Sequence, residues 1–235
     1  MIPKYKGIWK REEIPIGDKL MSIKDDLLSE FMDGWDSLEA AAKELGGATM
    51  NRPDHQIEES HYENMVQSKV EGKNYYRPNK ESWRGFSFKY TLKDRKHDIN
   101  KVMSPDDPYA GKFPTAFKLM EEYGDDCPIM NYSILAPNTS IFRHTGIENR
   151  SGRFLRIHIP LIIPKGDVFL EVDGEEVTWD DLFGFNNQLQ HSAHNLSNEW
   201  RMIFLIDIDR VRAGIEPGEP YNPRYVPRPF MRNLI

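Results

Sequence analysis

The chain has 235 residues, of which 39% are hydrophobic and 29% are charged, so it can bury the core of a β-rich domain with a helical extension. The net charge of -6 argues against nucleic acid as the main partner, because phosphate binding requires a concentrated basic face. Apolar runs such as 157–164 are far shorter than the roughly 20 residues that span a bilayer, so we expect no membrane anchor. The lone Cys127 and the absence of a secretory pattern at the start favour the cytoplasm.

The first third of the chain predicts helices followed by an irregular segment. Apolar residues recur at spacings of three and four between positions 22 and 45, which predicts a helical stripe that packs on a core and that Gly34 can divide in two. Residues 48–82 are polar without a clear period, which predicts an irregular segment at the mouth of a site. We therefore expect residues 1–82 to be an N-terminal extension packed on the core domain.

The core is expected to begin at residue 83. Alternation over residues 83–90 predicts a strand, the charged and Pro-broken residues 93–111 predict a surface loop, and a short helix is expected between Pro114 and Gly124.

Beyond residue 128 the sequence consists of short apolar runs separated by turn signals. The absence of crossover helices predicts an antiparallel sandwich or jelly roll over 83–210, followed by a Pro-rich tail at 211–235. Asp173-Gly174 predicts a hairpin. The predicted strands are 129–135, 154–163, 168–172, 175–179, 182–185 and 200–208.

Two histidines stand beside predicted strands, His144 before Thr-Gly and His191 after Leu-Gln. Facing strands of a barrel can present both to one metal ion, and imidazole suits Fe(II). Surface or hydrogen-bonded core histidines are the alternative. His194 is a rival ligand, although the predicted strand end disfavours a shared metal.

Three further residues suggest an anion site. Arg156 and His158 are two apart on an apolar strand and so share a face, and Arg201 opens the last strand. An arginine aimed into a barrel requires an anionic partner, such as a buried dicarboxylate held bidentately. A strand-end position in solvent, or an ion pair with a protein carboxylate, explains these arginines equally well.

These segments resemble the aspartyl/asparaginyl β-hydroxylase family. The family has, in order, a Ser-containing strand, a His-Thr-Gly turn, an Arg-x-His strand, a Phe-Asp-Asp-like strand ending in His, and a closing Arg-Leu-Ile-Phe-like strand. All five pieces occur here in that order, within residues 131–146, 154–164, 185–191 and 201–207, and the resemblance extends over 83–209.

The resemblance implies a mainly β fold, a double-stranded β-helix (jelly roll, cupin-like) with N-terminal helices packed on it. It implies an enzyme that uses Fe(II), 2-oxoglutarate and O₂ to hydroxylate an amino-acid residue of a protein or peptide, or a small molecule. The implied iron ligands are His144 and His191. The residues implied to hold 2-oxoglutarate are Ser133, His158 and Arg201, and Arg156 is implied to face substrate or cosubstrate.

Two departures affect the expected chemistry. Gly146 stands where most iron and 2-oxoglutarate enzymes have a carboxylate, a gap that the family shares and that water would fill. Chloride could also enter there, which makes a halogenase a minor variant. Asn186-Asn187 replaces the usual acidic pair before His191 and leaves the identity of the substrate open.

A cupin-like metal-binding isomerase and a non-catalytic binding module are the alternatives to the oxygenase. The sequence does not predict an oligomeric state.

Overall fold

The structure is a computed structural model that describes residues 6–33, 35–44, 83–93, 98–107, 110–146 and 149–220. The irregular segment predicted at 48–82 lies outside the described residues, as does the tail beyond 220. The helices are α1 (Gly17–Ser22), α2 (Lys24–Met32), α3 (Leu38–Glu44) and α4 (Pro114–Tyr123). The strands are β1 (Ile8–Lys10), β2 (Trp83–Lys93), β3 (Asp98–Val102), β4 (Ile129–Leu135), β5 (Thr139–His144), β6 (Phe154–Ile162), β7 (Val168–Val172), β8 (Glu175–Thr178), β9 (Phe183–Phe185), β10 (His191–Asn195) and β11 (Arg201–Asp209).

The strands form two antiparallel sheets. The large sheet has the order β1-β9-β6-β11-β4-β2-β3, and the small sheet has the order β5-β10-β7-β8. The eight strands from β4 onward are divided equally between the sheets. Asp173 and Gly174, with φ of 49° and 83°, form the predicted hairpin between β7 and β8. The topology is that of a double-stranded β-helix, which confirms the expected fold.

One apolar cluster lies on each side of the large sheet. The cluster between the sheets includes Leu135, Leu170, Phe185 and Ile203. The other cluster joins the outer face of the large sheet to the helices, and its members include Leu27, Phe31, Met120, Tyr132 and Phe204. The hydroxyl of Tyr132 also donates to the carbonyl of Leu27 at 2.8 Å. Full burial of each large apolar side chain contributes roughly 1.5–3 kcal/mol, so this packing fixes α2 on the sheet.

Most predicted elements occur, but the strands β1, β3, β5 and β10 were not predicted. The prediction of a loop throughout 93–111 is wrong, because β3 pairs with β2 there. The residues of β3 are alternately exposed and half-buried, as in an edge strand. The sequence of β3 is therefore polar and resembles that of a loop. The three-residue strand β1, which pairs with β9, was also not predicted.

Two further features bear on function. Cys127 is buried, its Sγ donates to the carbonyl of Ile129 at 3.3 Å, and burial raises its pKa to about 12, so it is not a nucleophile. None of the described helices is long and apolar enough to cross a bilayer.

Candidate metal centre

His144 and His191 lie opposite each other on neighbouring strands of the small sheet. His144 ends β5, His191 begins β10, and the two residues are register partners. Their ring centroids are 4.2 Å apart, with the planes inclined at 54°. Two imidazoles this close on paired strands can ligate one metal ion.

A β-bulge brings His144 to this position. His191 pairs with His144, whereas Ala193 pairs with Ile141, so two steps along β10 match three along β5. Ile141 and Ala193 both belong to the apolar cluster between the sheets. Regular alternation from Ile141 would turn His144 away from that interior, and the extra residue returns it to the side of His191.

The ring of His191 is oriented by its neighbours. Its Nδ1 lies 2.9 Å from the carbonyl oxygen of Leu189, and its centroid lies 5.1 Å from that of Phe185. A carbonyl can only accept, so Nδ1 carries the proton and Nε2 keeps a lone pair for a metal. Burial, followed by the charge of His144, lowers the pKa of His191 well below its ordinary value. The ring is therefore neutral at neutral pH, as a metal ligand must be.

His194, the rival ligand, is engaged on the opposite face of β10. Its Nδ1 lies 2.8 Å from Oγ of Ser140, its Nε2 lies 3.0 Å from Oγ of Ser192, and its ring stacks on Phe169. Each ring nitrogen of His194 thus has a hydroxyl group as its hydrogen-bond partner. Within the described part of the chain, no three His, Cys, Asp or Glu residues form a metal-binding group, so the candidate centre there consists of two histidines.

The other polar residues singled out in the sequence face the space between the sheets. In β6, Leu155 and Ile157 belong to the helix-side cluster, so the residues that alternate with them point to the interior. The same alternation holds in β4 and β11. The interior-facing residues are Ser133, Arg156, His158 and Arg201, each more than nine-tenths buried.

Trp179 links His158 to Arg201. Its Nε1 donates to Nδ1 of His158 at 3.2 Å, and its ring centroid lies 4.8 Å from the guanidinium carbon of Arg201. Because Nδ1 accepts, neutral His158 carries its proton on Nε2, which has no hydrogen-bond partner among the described residues. Burial, followed by the charges of Arg156 and Arg201, lowers the pKa of His158 well below its ordinary value.

Arg201 is a buried cation that has no carboxylate partner among the described residues. Its side chain is 1% exposed, its Nη1 donates to the carbonyl of Ser133 at 3.3 Å, and its Nε has no partner. Burial alone lowers its pKa to about 9. An uncompensated buried charge is costly, so an anion that accepts from both Arg201 and His158 would satisfy these two side chains.

Arg156 is arranged differently, because it has a protein counter-ion. Its Nε and Nη2 donate to the two carboxylate oxygens of Asp207 at 2.7 and 2.8 Å, between register partners of β6 and β11. Asp207 is fully buried. Of the explanations that the sequence left open for Arg156, the ion pair with a protein carboxylate is the one present in the structure.

A cavity of about 320 Å³ adjoins the candidate centre. It is lined by Thr145 and Gly146, which directly follow His144, and by Arg150 and Gln188. A site of this size is at the lower end of small-molecule pockets, which suits a group about as large as one amino acid.

Sequence reasoning missed three residues that complete the surroundings of the centre. Trp179 was recognised as the end of a strand, but its contacts with His158 and Arg201 join separate elements. Asp207 lay within a matching motif, yet nothing in the sequence paired it with Arg156. Gln188 lay within the matching segment 185–191, but no role was predicted for it.

The model of the aspartyl/asparaginyl beta-hydroxylase family matches residues 39–211, more than half of the chain. The chain belongs to this family. The aspartyl/asparaginyl beta-hydroxylases of Homo sapiens and Mus musculus are each 31% identical to it over 81 residues, which cover 34% of this chain and 10% of theirs. The match thus spans about a tenth of the length of these relatives.

Two solved structures also resemble parts of the chain. An oxidoreductase of the 2OG-Fe(II) oxygenase family from Burkholderia pseudomallei is 9% identical, with 60% of this chain and 70% of that chain covered and a TM-score of 0.33. A predicted oxalate decarboxylase from Thermotoga maritima is 17% identical, with 38% and 73% covered and a TM-score of 0.31.

The structure explains how this aspartyl/asparaginyl β-hydroxylase family member accommodates Asn187 in place of the usual acid. Oδ1 of Asn187 accepts from Nδ2 of Asn149 at 2.7 Å, and its carbonyl accepts from the backbone N–H of Gly146 at 2.7 Å. Asn187 and Asn149 are both fully buried. These bonds tie the turn after His144 to the segment before His191.

Proposed function

We propose that the chain is an Fe(II)- and 2-oxoglutarate-dependent oxygenase that hydroxylates a C–H bond of its substrate. The observation that carries this proposal is the paired arrangement of His144 and His191, together with a buried cation in the same interior, Arg201, that has no carboxylate partner among the described residues. Family membership supports a hydroxylase.

The donor set fits the proposed metal and cosubstrate. Fe(II) binds imidazole, and the unprotonated Nε2 of His191 is available beside His144. The proposed 2-oxoglutarate site consists of Arg201, Ser133 and His158. Arg201 would bind the distal carboxylate, and His158 would donate from Nε2, which otherwise has no hydrogen-bond partner in the described structure. Oγ of Ser133 accepts from Nε1 of Trp83 at 3.2 Å, which leaves its own proton to donate.

The chain's own residues orient and isolate the reacting groups. When bound, iron and 2-oxoglutarate supply the oxidising chemistry, in which 2-oxoglutarate becomes succinate and CO₂ and the substrate gains one oxygen atom from O₂. The apolar residues between the sheets, Phe185 among them, exclude bulk water. Gly146 provides no carboxylate, so water or, in the minor halogenase variant, chloride would complete the ligands beside the two histidines.

Family membership supports a residue of a protein or peptide as the substrate, and a small molecule is the alternative. The test is succinate formation from 2-oxoglutarate with Fe(II) and ascorbate under air. We expect slow turnover without substrate, and its loss in His144→Ala and in Arg201→Ala. His194→Gln is the matched control, because it changes a buried histidine on the opposite face of the same strand.

A second measurement separates the proposal from a cupin-like or non-catalytic barrel. Iron and 2-oxoglutarate together should raise the Tm more than iron alone, since ligands of one site stabilise the folded state by mass action. If no succinate forms and 2-oxoglutarate does not change the Tm of the iron-loaded protein, the oxygenase proposal fails.

A further inference from the structure

The cavity beside the candidate centre contains one arginine whose charge no described residue balances. Arg150 lines the cavity with Thr145, Gly146 and Gln188, and its side chain is exposed. No ion pair joins it to a carboxylate of the described residues. Three nearby arginines differ: Arg143 pairs with Glu171 at 3.0 Å, Arg153 with Asp126 and Asp209, and Arg156 with Asp207. These three have their positive charges compensated within the protein.

The backbone that carries Arg150 is anchored from several sides. Nε2 of Gln188 lies 3.2 Å from the carbonyl oxygens of both Arg150 and Glu219. The buried side chain of Asn149 accepts from the N–H of Phe154 and donates to its carbonyl. The position of Arg150 at the cavity is therefore fixed, although its side chain is free to meet a ligand.

The C-terminal segment adds a close contact to this anchor. Gly152 has φ +72°, and a Cβ on it would lie 2.0 Å from the carbonyl oxygen of Glu219. A Cβ on Gly218 would likewise lie 2.0 Å from the carbonyl oxygen of Gly152. Two glycines thus allow residues 218–219 to pack against the loop that carries Arg150. Such preorganisation lowers the entropic cost of binding a ligand.

We propose that Arg150 is a specificity-determining residue that binds a carboxylate of the substrate, in the place of Arg156, whose charge Asp207 neutralises. The inference rests on the proposed function and narrows its substrate to a carboxylate-bearing residue or molecule. A guanidinium binds a carboxylate through two parallel N–H···O bonds. Because both protons of the Gln188 amide are directed to carbonyls, its Oε1 is left to accept an N–H from the same ligand.

The test is a panel of N-acetyl amino-acid amides in charged and neutral pairs. Aspartate is compared with asparagine, glutamate with glutamine, and phosphoserine with serine, so that carboxylate and phosphate are distinguished. Dissociation constants are measured by calorimetry, without O₂, on the protein loaded with Fe(II) and 2-oxoglutarate. The panel is also titrated against the protein without iron and 2-oxoglutarate.

We expect a carboxylate member to bind at least tenfold more tightly than its neutral partner. Arg150→Gln should reduce that ratio to about one, and Arg150→Lys should retain part of it, because lysine keeps the charge without the bidentate fork. Arg153→Gln, which removes an arginine of the same loop, should preserve the ratio. The inference is overturned if the preference survives Arg150→Gln, if it is lost instead in Arg156→Gln, if phosphoserine alone shows it, or if no charged member binds better than its partner.

Succinate formation by the unaltered protein without substrate tests the proposed function separately. If succinate forms and the panel shows no preference that depends on Arg150, the inference alone fails. If no succinate forms, the oxygenase proposal fails, and the titration without iron still measures whether Arg150 selects a carboxylate.

Discussion

Arg143 and Glu171 form an ion pair of 3.0 Å on the face of the small sheet opposite His144. Arg143 directly precedes His144 in β5, yet the two side chains point to opposite faces, one towards β7 and the other towards His191. The bulge in β5 and this ion pair together determine that the side chain of His144, and not that of Arg143, reaches the interior. The outer face of the small sheet thus helps to place a residue of the candidate metal centre.

The first prediction concerns this ion pair. Glu171 is fully buried, whereas the side chain of Arg143 is 23% exposed. Glu171→Gln should lower the free energy of unfolding by about 3 kcal/mol, because it removes a buried carboxylate that pairs with the partly buried Arg143. Urea unfolding monitored by circular dichroism measures the change. The single variant Arg143→Gln and the double variant Arg143→Gln/Glu171→Gln complete the cycle, and the double variant should lose less than the sum of the two single losses; additive losses would contradict a pairwise interaction.

A second prediction concerns Arg156 and Asp207. Asp207→Asn should destabilise the protein by about 3–5 kcal/mol, because a buried guanidinium then lacks its carboxylate. The double variant Arg156→Met/Asp207→Leu should be much closer to the original stability, since hydrophobic replacement of a buried pair is often neutral. Guanidinium chloride unfolding of the three proteins checks this. A double variant no more stable than Asp207→Asn would show that Arg156 does more than balance Asp207.

The strands with long apolar runs were predictable from sequence, whereas β5 and β10, which carry His144 and His191, were not. The apolar runs of β4, β6, β7 and β11 predicted these strands nearly to the residue. By contrast, β10 reads His-Ser-Ala-His-Asn, and the burial of its polar side chains includes hydrogen bonds to Ser140 of β5 and to the carbonyl of Leu135 in β4. Such burial depends on partners distant in sequence, and hydrophobic periodicity does not detect it.

The interior face of the site was only partly predictable. Alternation is a local property, so the spacing of Arg156 and His158 was sufficient to place them on one face. The pairing of Arg156 with Asp207 depends on the register between β6 and β11, which no local pattern encodes. The bulge that turns His144 inward is likewise a property of two strands together.

A third prediction follows from the buried His158. Its folded-state pKa lies well below the value of 6.5 that applies to the unfolded chain, because burial and two nearby arginines disfavour the charged ring. Below pH 6.5 the unfolded state therefore binds more protons, and stability present above that pH is lost as the pH falls. Each such histidine contributes a slope of up to about 1.4 kcal/mol per pH unit.

His158→Gln should reduce this slope in the metal-free protein, because glutamine does not titrate and its carbonyl can still accept from Nε1 of Trp179. The measurement is the free energy of unfolding between pH 7 and pH 5 for both proteins. Parallel curves would contradict the assignment of a neutral, buried His158.

The last prediction separates stability from function at Arg201. The residue is a buried cation whose pKa burial lowers to about 9, and no carboxylate of the described residues compensates it. Arg201→Met removes that unfavourable charge and retains apolar volume against Trp179, at the cost of a cation–π contact of about 0.5–2 kcal/mol.

In the absence of 2-oxoglutarate, the variant should therefore be at least as stable as the original protein. The increase in Tm expected from 2-oxoglutarate with iron should disappear, because the group proposed to bind its distal carboxylate is gone. Differential scanning calorimetry of both proteins with and without 2-oxoglutarate tests the two halves together. A variant that is less stable without 2-oxoglutarate would mean that Arg201 supports the barrel itself, whereas a retained shift would place the carboxylate of 2-oxoglutarate elsewhere.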